Sequence, residues 1–141
     1  LTPHLTVSSD LTFTRTDFIE GFGPLPSILP FYGANMLQYN KDKLSIRIRN
    51  RFSSAKNPED YSLGGEDGLD ETPVELNSEG FPQFIGTPSW SIFNLSGSYA
   101  WTEQLVIRAG LENVFDVHYR EFASGISASG RSLMFGASLD F

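Results

Sequence analysis

Apolar and polar residues alternate with a period of two along most of this chain, in six blocks. From Leu5 to Thr16, Leu5, Val7, Leu11 and Phe13 share one parity, and Ser9 is the weak member of that set. From Phe31 to Tyr39 the pattern is fainter, carried by Phe31, Leu37 and Tyr39. From Lys43 to Phe52 it is cleanest: Leu44, Ile46, Ile48 and Phe52 on one side, Lys43, Ser45, Arg47, Arg49 and Arg51 on the other. A helical period would scatter those arginines around an axis, whereas a period of two gathers them on one face of a strand. Ser89 to Trp101 sets Phe93, Leu95, Gly97, Tyr99 and Trp101 against Asn94, Ser96, Ser98 and Ala100. Gln104 to Asn113 sets Leu105, Ile107, Ala109 and Leu111 against Arg108, Gly110 and Glu112. Arg131 to Phe141 sets Leu133, Phe135, Ala137, Leu139 and Phe141 against Ser132, Met134, Gly136, Ser138 and Asp140.

Between the blocks, short and long connections take turns. Asn40-Lys41-Asp42 and Thr102-Glu103 read as tight turns. Asp17 to Pro30, Ser53 to Pro88 and Val114 to Gly130 read as long loops, the middle one without convincing periodicity. All eight prolines fall outside the six blocks, as strands require. In an antiparallel meander this places the short turns at one rim and the long loops at the other, the asymmetry of outer-membrane barrels. Each block is close to the ~10 residues that a tilted strand needs to cross a bilayer. Tyr39, Tyr99, Trp101 and Phe141 sit at the short-turn ends of the apolar face, and Phe13, Phe31, Phe52 and Phe135 toward the other ends. Two such bands suit the aromatic girdles at the two membrane surfaces. The predicted fold is therefore all-β, a segment of an antiparallel transmembrane β-barrel. Alternation alone also permits a soluble or surface-exposed β-sandwich binding module, which would bury the same face under a second sheet. A complete six-strand barrel falls short of the usual minimum of eight.

Composition narrows this. Hydrophobic residues make up 40% of the 141 and mean hydropathy is −0.18, so no apolar run is long enough for a transmembrane helix. Barrel strands look polar on average because half of each strand faces water. The net charge of −7 argues against a nucleic-acid partner, and the absence of cysteine removes disulfides and thiolate metal sites. The chain begins at Leu1 without methionine or a signal peptide, which fits either a mature chain or, as the preferred expectation, a C-terminal piece of a longer protein.

The stretch Phe93 to Phe122, containing Leu111-Glu112-Asn113-Val114-Phe115-Asp116 with Tyr119 close behind, and then Gly130-Arg131-Ser132 opening a last strand that ends in Phe141, resembles the C-terminal end of TonB-dependent outer-membrane receptors. The resemblance covers roughly the last third of the chain; upstream only the strand-and-loop pattern matches. It implies a barrel of about 22 strands around an N-terminal plug, importing a scarce nutrient, a metal chelate such as siderophore-bound iron or cobalamin, on energy delivered by TonB. On that reading residues 1–141 are the C-terminal barrel segment, and the plug is absent. Partners are outer-membrane lipid, TonB through the plug, the barrel assembly machinery and an extracellular small-molecule ligand. The resemblance also makes Phe141 the terminal aromatic that the assembly machinery reads.

The remaining residues support no catalytic reading. Arg47, Arg49, Arg51, Arg108 and Glu112 are expected to face the barrel lumen and line a wet wall, with Asp10, Glu112 and Asp140 as possible acidic counterparts on the same parity. Tyr39, Tyr99, Trp101 and Phe52 are expected in the membrane girdle. Between Glu59 and Glu79 lie eight carboxylates and no basic residue. They could wrap a hard cation, but the spacing does not match a calcium-binding loop, and a solvated acidic loop is the expectation. His4 and His118 are far apart with no ligand set around them. No nucleophile elbow, phosphate-binding loop or zinc-protease motif is present, and we expect neither an enzyme nor a cofactor.

Overall fold

The structure is a computed structural model that describes residues 3–15 and 23–141. Six long strands form one antiparallel sheet: β1 (Leu5–Thr12), β2 (Tyr32–Lys41), β3 (Leu44–Ser53), β6 (Trp90–Ala100), β7 (Leu105–Glu112) and β8 (Ser132–Leu139), neighbours in that order. Two short strands, β4 (Val74–Leu76) and β5 (Pro82–Phe84), pair as a separate hairpin within the connection from β3 to β6. The long sheet is thus a plain meander with open edges at β1 and β8.

Register carries the alternation from strand to strand. Val7 faces Leu37, Leu37 faces Ile48, Ile48 faces Leu95, Leu95 faces Leu111, and Leu111 faces Leu133. Every pairing matches apolar parity to apolar parity, so the sheet has one mainly apolar and one mainly polar face. A slip of one residue at any junction would exchange them. No second sheet covers the apolar face among the described residues: Leu44, Ile46, Ile48, Leu95 and Ile107 are all exposed, at 38–42%. A soluble monomer rarely leaves so broad an apolar surface bare. Among the described residues the buried apolar side chains are Tyr61 and Ile92, both near the loop rim rather than beneath the sheet. The β-sandwich expectation, which needs a second sheet on this face, is not met.

Strand ends depart from the sequence expectation where pairing decides them. The first strand stops at Thr12 rather than running to Thr16, because Thr12 already pairs with Tyr32, the first residue of β2. Beyond that lies Pro30, which has no N–H to continue the ladder; Thr16 and residues 17–22 of the expected loop lie outside the described residues. The first tight turn is Asp42-Lys43 rather than Asn40 to Asp42, with Lys41 and Leu44 paired across it. Asp42 takes a positive φ of 50°, a conformation aspartate tolerates. The second turn spans Trp101 to Gln104, where the Thr102 hydroxyl accepts the N–H groups of Gln104 and Leu105 at 3.2 and 2.9 Å. The last strand ends at Leu139, leaving Asp140 and Phe141 beyond it.

The connection from β3 to β6, expected to be structureless, holds two 3-10 turns (Pro58–Asp60 and Leu69–Glu71) and the β4–β5 hairpin. Its ends are tied by a reciprocal backbone pair between Lys56 and Thr87, at 2.9 and 3.0 Å.

Candidate functional site

All three long connections leave the sheet at the same rim, and there they pack on one another. The centre of that packing is Lys56, 4% exposed, paired with Asp67, 3% exposed. The Lys56 ammonium donates to Asp67 at 3.0 Å and to the Ile28 carbonyl at 2.8 Å. It also lies 5.0 Å from the Tyr61 ring centre and 4.1 Å from that of Phe122. Asp67 accepts the Ser27 N–H at 2.6 Å and the Ser62 N–H at 3.3 Å. Tyr61 is hydrogen bonded to Thr87 at 2.6 Å and meets Phe122 edge to face. One ion pair thereby joins Ser27 and Ile28 of the first loop, Lys56 to Thr87 of the second and Phe122 of the third. Burial alone would raise the Asp67 pKa. The Ser27 N–H, the Lys56 ammonium and the Ser62 N–H outweigh it and hold the carboxyl below the usual aspartate range.

Beside this clasp, where the polar face reaches the loops, Arg51 meets Glu121 at 2.8 Å. The Arg51 guanidinium also lies over Trp90, 5.7 Å from the ring centre, and Trp90 packs on Tyr119 with centroids 4.6 Å apart. Trp90 lines a cavity of about 320 Å³ together with Thr87, His118, Tyr119, Arg120 and Ser127. The indole N–H of Trp90 is buried without an acceptor among the described residues. Arg120 donates to the Glu71 carbonyl, and Ser127 contacts His118 Nε2 at 3.3 Å. Aromatic faces and several donors around a concavity at the loop rim suit a polar ligand with acceptor groups.

The residues that carry the family resemblance hold this rim in shape. Asn113 ends β7 at a positive φ of 47° and is buried. Its carboxamide donates to the carbonyls of Val117 and Ser129 at 2.9 and 3.3 Å and accepts the Val117 N–H at 2.9 Å. Its own N–H donates to the Asn94 side chain at 2.8 Å. Asp116 accepts the Arg131 N–H at 2.7 Å. A side chain at Gly130 would place its Cβ 2.9 Å from that same carboxylate oxygen. The two halves of the motif, far apart in sequence, are one structural unit.

The other residues singled out from sequence fall as follows. Arg47, Arg49 and Arg51 lie on the polar face with Arg108 and Glu112. Arg47 donates to Gln38 Oε1 at 3.1 and 3.0 Å, and Arg108 donates to the Ser138 hydroxyl at 2.9 Å. The acidic partner of Arg51 is Glu121, from a loop; Asp10, Glu112 and Asp140 form no ion pair among the described residues. Tyr39, Tyr99 and Trp101 gather at the tight-turn rim, where Tyr99 and Trp101 meet edge to face at 6.3 Å. Phe52 lies at the opposite rim, 5.6 Å from Phe31, which in turn contacts Phe13 at 6.5 Å. Phe141 is fully exposed. Of the eight loop carboxylates, Glu59, Asp60, Glu66, Asp70, Glu71, Glu75 and Glu79 are exposed as expected, while Asp67 is buried and paired. Sequence reasoning missed the clasp. The signal available was Lys56 itself, the one basic residue between Arg51 and Arg108.

Neither a scan of protein-family models nor a search of curated proteins matches the sequence. Solved structures do. The whole chain superimposes on the copper transporter OprC with a TM-score of 0.74 at 19% identity. It superimposes equally completely on two mutant structures of the ferric enterobactin receptor PfeA from Pseudomonas aeruginosa, each with a TM-score of 0.63 at 19% identity. The chain spans only 20–21% of the length of those proteins. Its fold is that of a barrel-wall segment of such receptors, an antiparallel meander amounting to about a fifth of their length.

Proposed function

We propose that this chain is the C-terminal wall of a TonB-dependent outer-membrane receptor that imports a metal chelate, siderophore-bound iron in the first place and cobalamin as the alternative. One observation carries the reading. Six strands keep a single apolar face in register from edge to edge, with no second layer upon it among the described residues, in a chain that superimposes along its whole length on a copper transporter and a ferric enterobactin receptor. On this reading the apolar face meets bacterial outer-membrane lipid. Tyr39, Tyr99 and Trp101 form the girdle at the periplasmic rim, and Phe52 with its ring partners that at the outer rim. Arg47, Arg49, Arg51, Arg108 and Glu112 face the lumen, where a plug lies and through which TonB acts. Phe141 is read by the barrel assembly machinery. The clasped loops and the Trp90 cavity form part of the outer vestibule that first meets the ligand.

The test is growth of the source bacterium on iron chelates and on cobalamin as limiting nutrients, with and without the full-length gene and with and without TonB. Growth on one of them that needs both the receptor and TonB supports the proposal. Growth independent of both, on every nutrient offered, contradicts it.

A further inference from the structure

The apolar face is interrupted by one polar row. Ser9, Asn35 and Asn50 occupy the apolar parity of three successive strands and lie directly opposite one another, Ser9 facing Asn35 and Asn35 facing Asn50. Their side chains form a chain of hydrogen bonds running in one direction. The Ser9 hydroxyl donates to Asn35 Oδ1 at 2.8 Å, and Asn35 Nδ2 donates to Asn50 Oδ1 at 3.3 Å. Asn50 Nδ2 donates to the Ser91 hydroxyl at 2.8 Å and to the Ile92 carbonyl at 3.1 Å. The row therefore spans four strands on the face that is otherwise aliphatic and aromatic.

We propose that Asn35 is a register lock for the β1–β2 pair. Apolar alternation rejects a slip of one residue, because that would turn the faces over, but it is blind to a slip of two, which leaves every parity intact. Where a tight turn joins two strands, the turn supplies the missing information. Asp42-Lys43 does so for β2 and β3, across which Lys41 pairs with Leu44. No such turn joins β1 to β2: β1 ends at Thr12 and β2 begins only at Tyr32. Their register must be set within the sheet.

The polar row does this. A two-residue slip in one direction sets Asn35 against Val7, and in the other against Leu11. In either case the carboxamide oxygen loses the Ser9 donor and faces hydrocarbon, where water cannot replace it. The aliphatic positions themselves exchange partners with little consequence: Leu37 meets Leu5 in one slip, and Val7 meets Tyr39 in the other. Asn50 contributes by orientation. Held by Ser91 and the Ile92 carbonyl, it accepts the Asn35 amide and so turns the Asn35 oxygen toward β1. A single buried asparagine that fixes the register of a coiled coil acts on the same principle.

This inference rests on the apolar face being lipid-facing, but its test reads strand register and not transport. Cysteine pairs are placed in the full-length receptor, in a background otherwise free of cysteine, and cross-linked in isolated outer membranes. V7C with L37C reports the native register; L5C with L37C and V7C with Y39C report the two slips. With Asn35 present, only the native pair is expected to cross-link. With Asn35→Leu, one or both slipped reporters are expected to rise at least tenfold above background, while Asn35→Thr, which keeps an acceptor for Ser9, restores the native pair alone. Ser9→Ala removes the donor and is expected to raise the same slipped reporters to a smaller extent, and it decides the matter should N35L not assemble. Cross-linking of the native pair alone in both N35L and S9A overturns the proposal, whether or not the receptor transports.

Discussion

Removing one member of the Lys56–Asp67 pair should release the loops, and removing both should release them less. In Asp67→Ala the ammonium of Lys56 stays in a site where its side chain is 4% exposed, with the Ile28 carbonyl and two aromatic rings but no counter-charge. Stripping one partner from such a buried pair costs about 3–5 kcal/mol. That corresponds to an increase of roughly two to three and a half decades in the open population of the loops, at about 1.4 kcal/mol per decade. The paired replacement Lys56→Met with Asp67→Leu leaves no buried charge but strips the Ser27 and Ser62 N–H groups and the Ile28 carbonyl of their partners, and should cost about 1–3 kcal/mol, less than D67A. Hydrogen exchange on the full-length protein reads this directly at the Lys56 and Thr87 amides, which bond each other's carbonyls across the base of the loop. The dependence on pH has a definite sign. Asp67 is held below its ordinary pKa in the folded state. Its contribution is complete above the unfolded value of about 3.9 and is lost as the pH falls through the lowered folded value. The loops should therefore stay closed from pH 8 down to about pH 4 and open only in stronger acid. Unchanged exchange in D67A, or loops that open near pH 6, would refute this account of the clasp.

Other outcomes follow from the same geometry. Gly130→Ala should drive the Asp116 carboxylate from the Arg131 N–H, costing about 1–3 kcal/mol and lowering the temperature at which the full-length protein loses its folded mobility on a denaturing gel. Asn113→Ala removes three side-chain hydrogen bonds at a buried site and should cost about 2–4 kcal/mol in the same assay. Deleting Phe141, which lies beyond the last strand, should leave the stability of the assembled protein unchanged within about 0.5 kcal/mol but reduce the amount assembled, as measured by surface labelling against total protein. An equal amount at the surface would remove the assembly role from this residue.

The sheet was legible in the sequence because a period of two states parity, and parity survives every pairing. Leu37, Ile48, Leu95 and Leu111 could be assigned to one face before any register was known. The strand ends were less legible, since they depend on the partner: Phe13 continues the parity of β1, but nothing in its own neighbourhood says that β2 begins at Tyr32. The loop rim was opaque for a different reason. Lys56, Asp67, Tyr61 and Phe122 come from two loops without periodicity, and Asp67 is one carboxylate among eight that look alike in sequence. Only the fold separates the buried one from the seven in water. Asn113, Asp116 and Gly130 were visible as a family pattern, but the contact that makes them one unit was not. The polar row shows the converse: Ser9 looked like a defect in an apolar face until register placed Asn35 beside it.

The central claim is that the apolar face of the sheet meets lipid and the arginine face does not. Nitroxide labels placed one at a time at Ile46, Arg47, Ile48 and Arg49 of the full-length protein in bilayers test it most directly. Collision rates with oxygen, which concentrates in lipid, and with a water-soluble nickel chelate are measured at each position. The account predicts high oxygen and low nickel accessibility at 46 and 48, and oxygen accessibility falling sharply at 47 and 49. Oxygen accessibility that is uniform along the strand, or highest at 47 and 49, would contradict it.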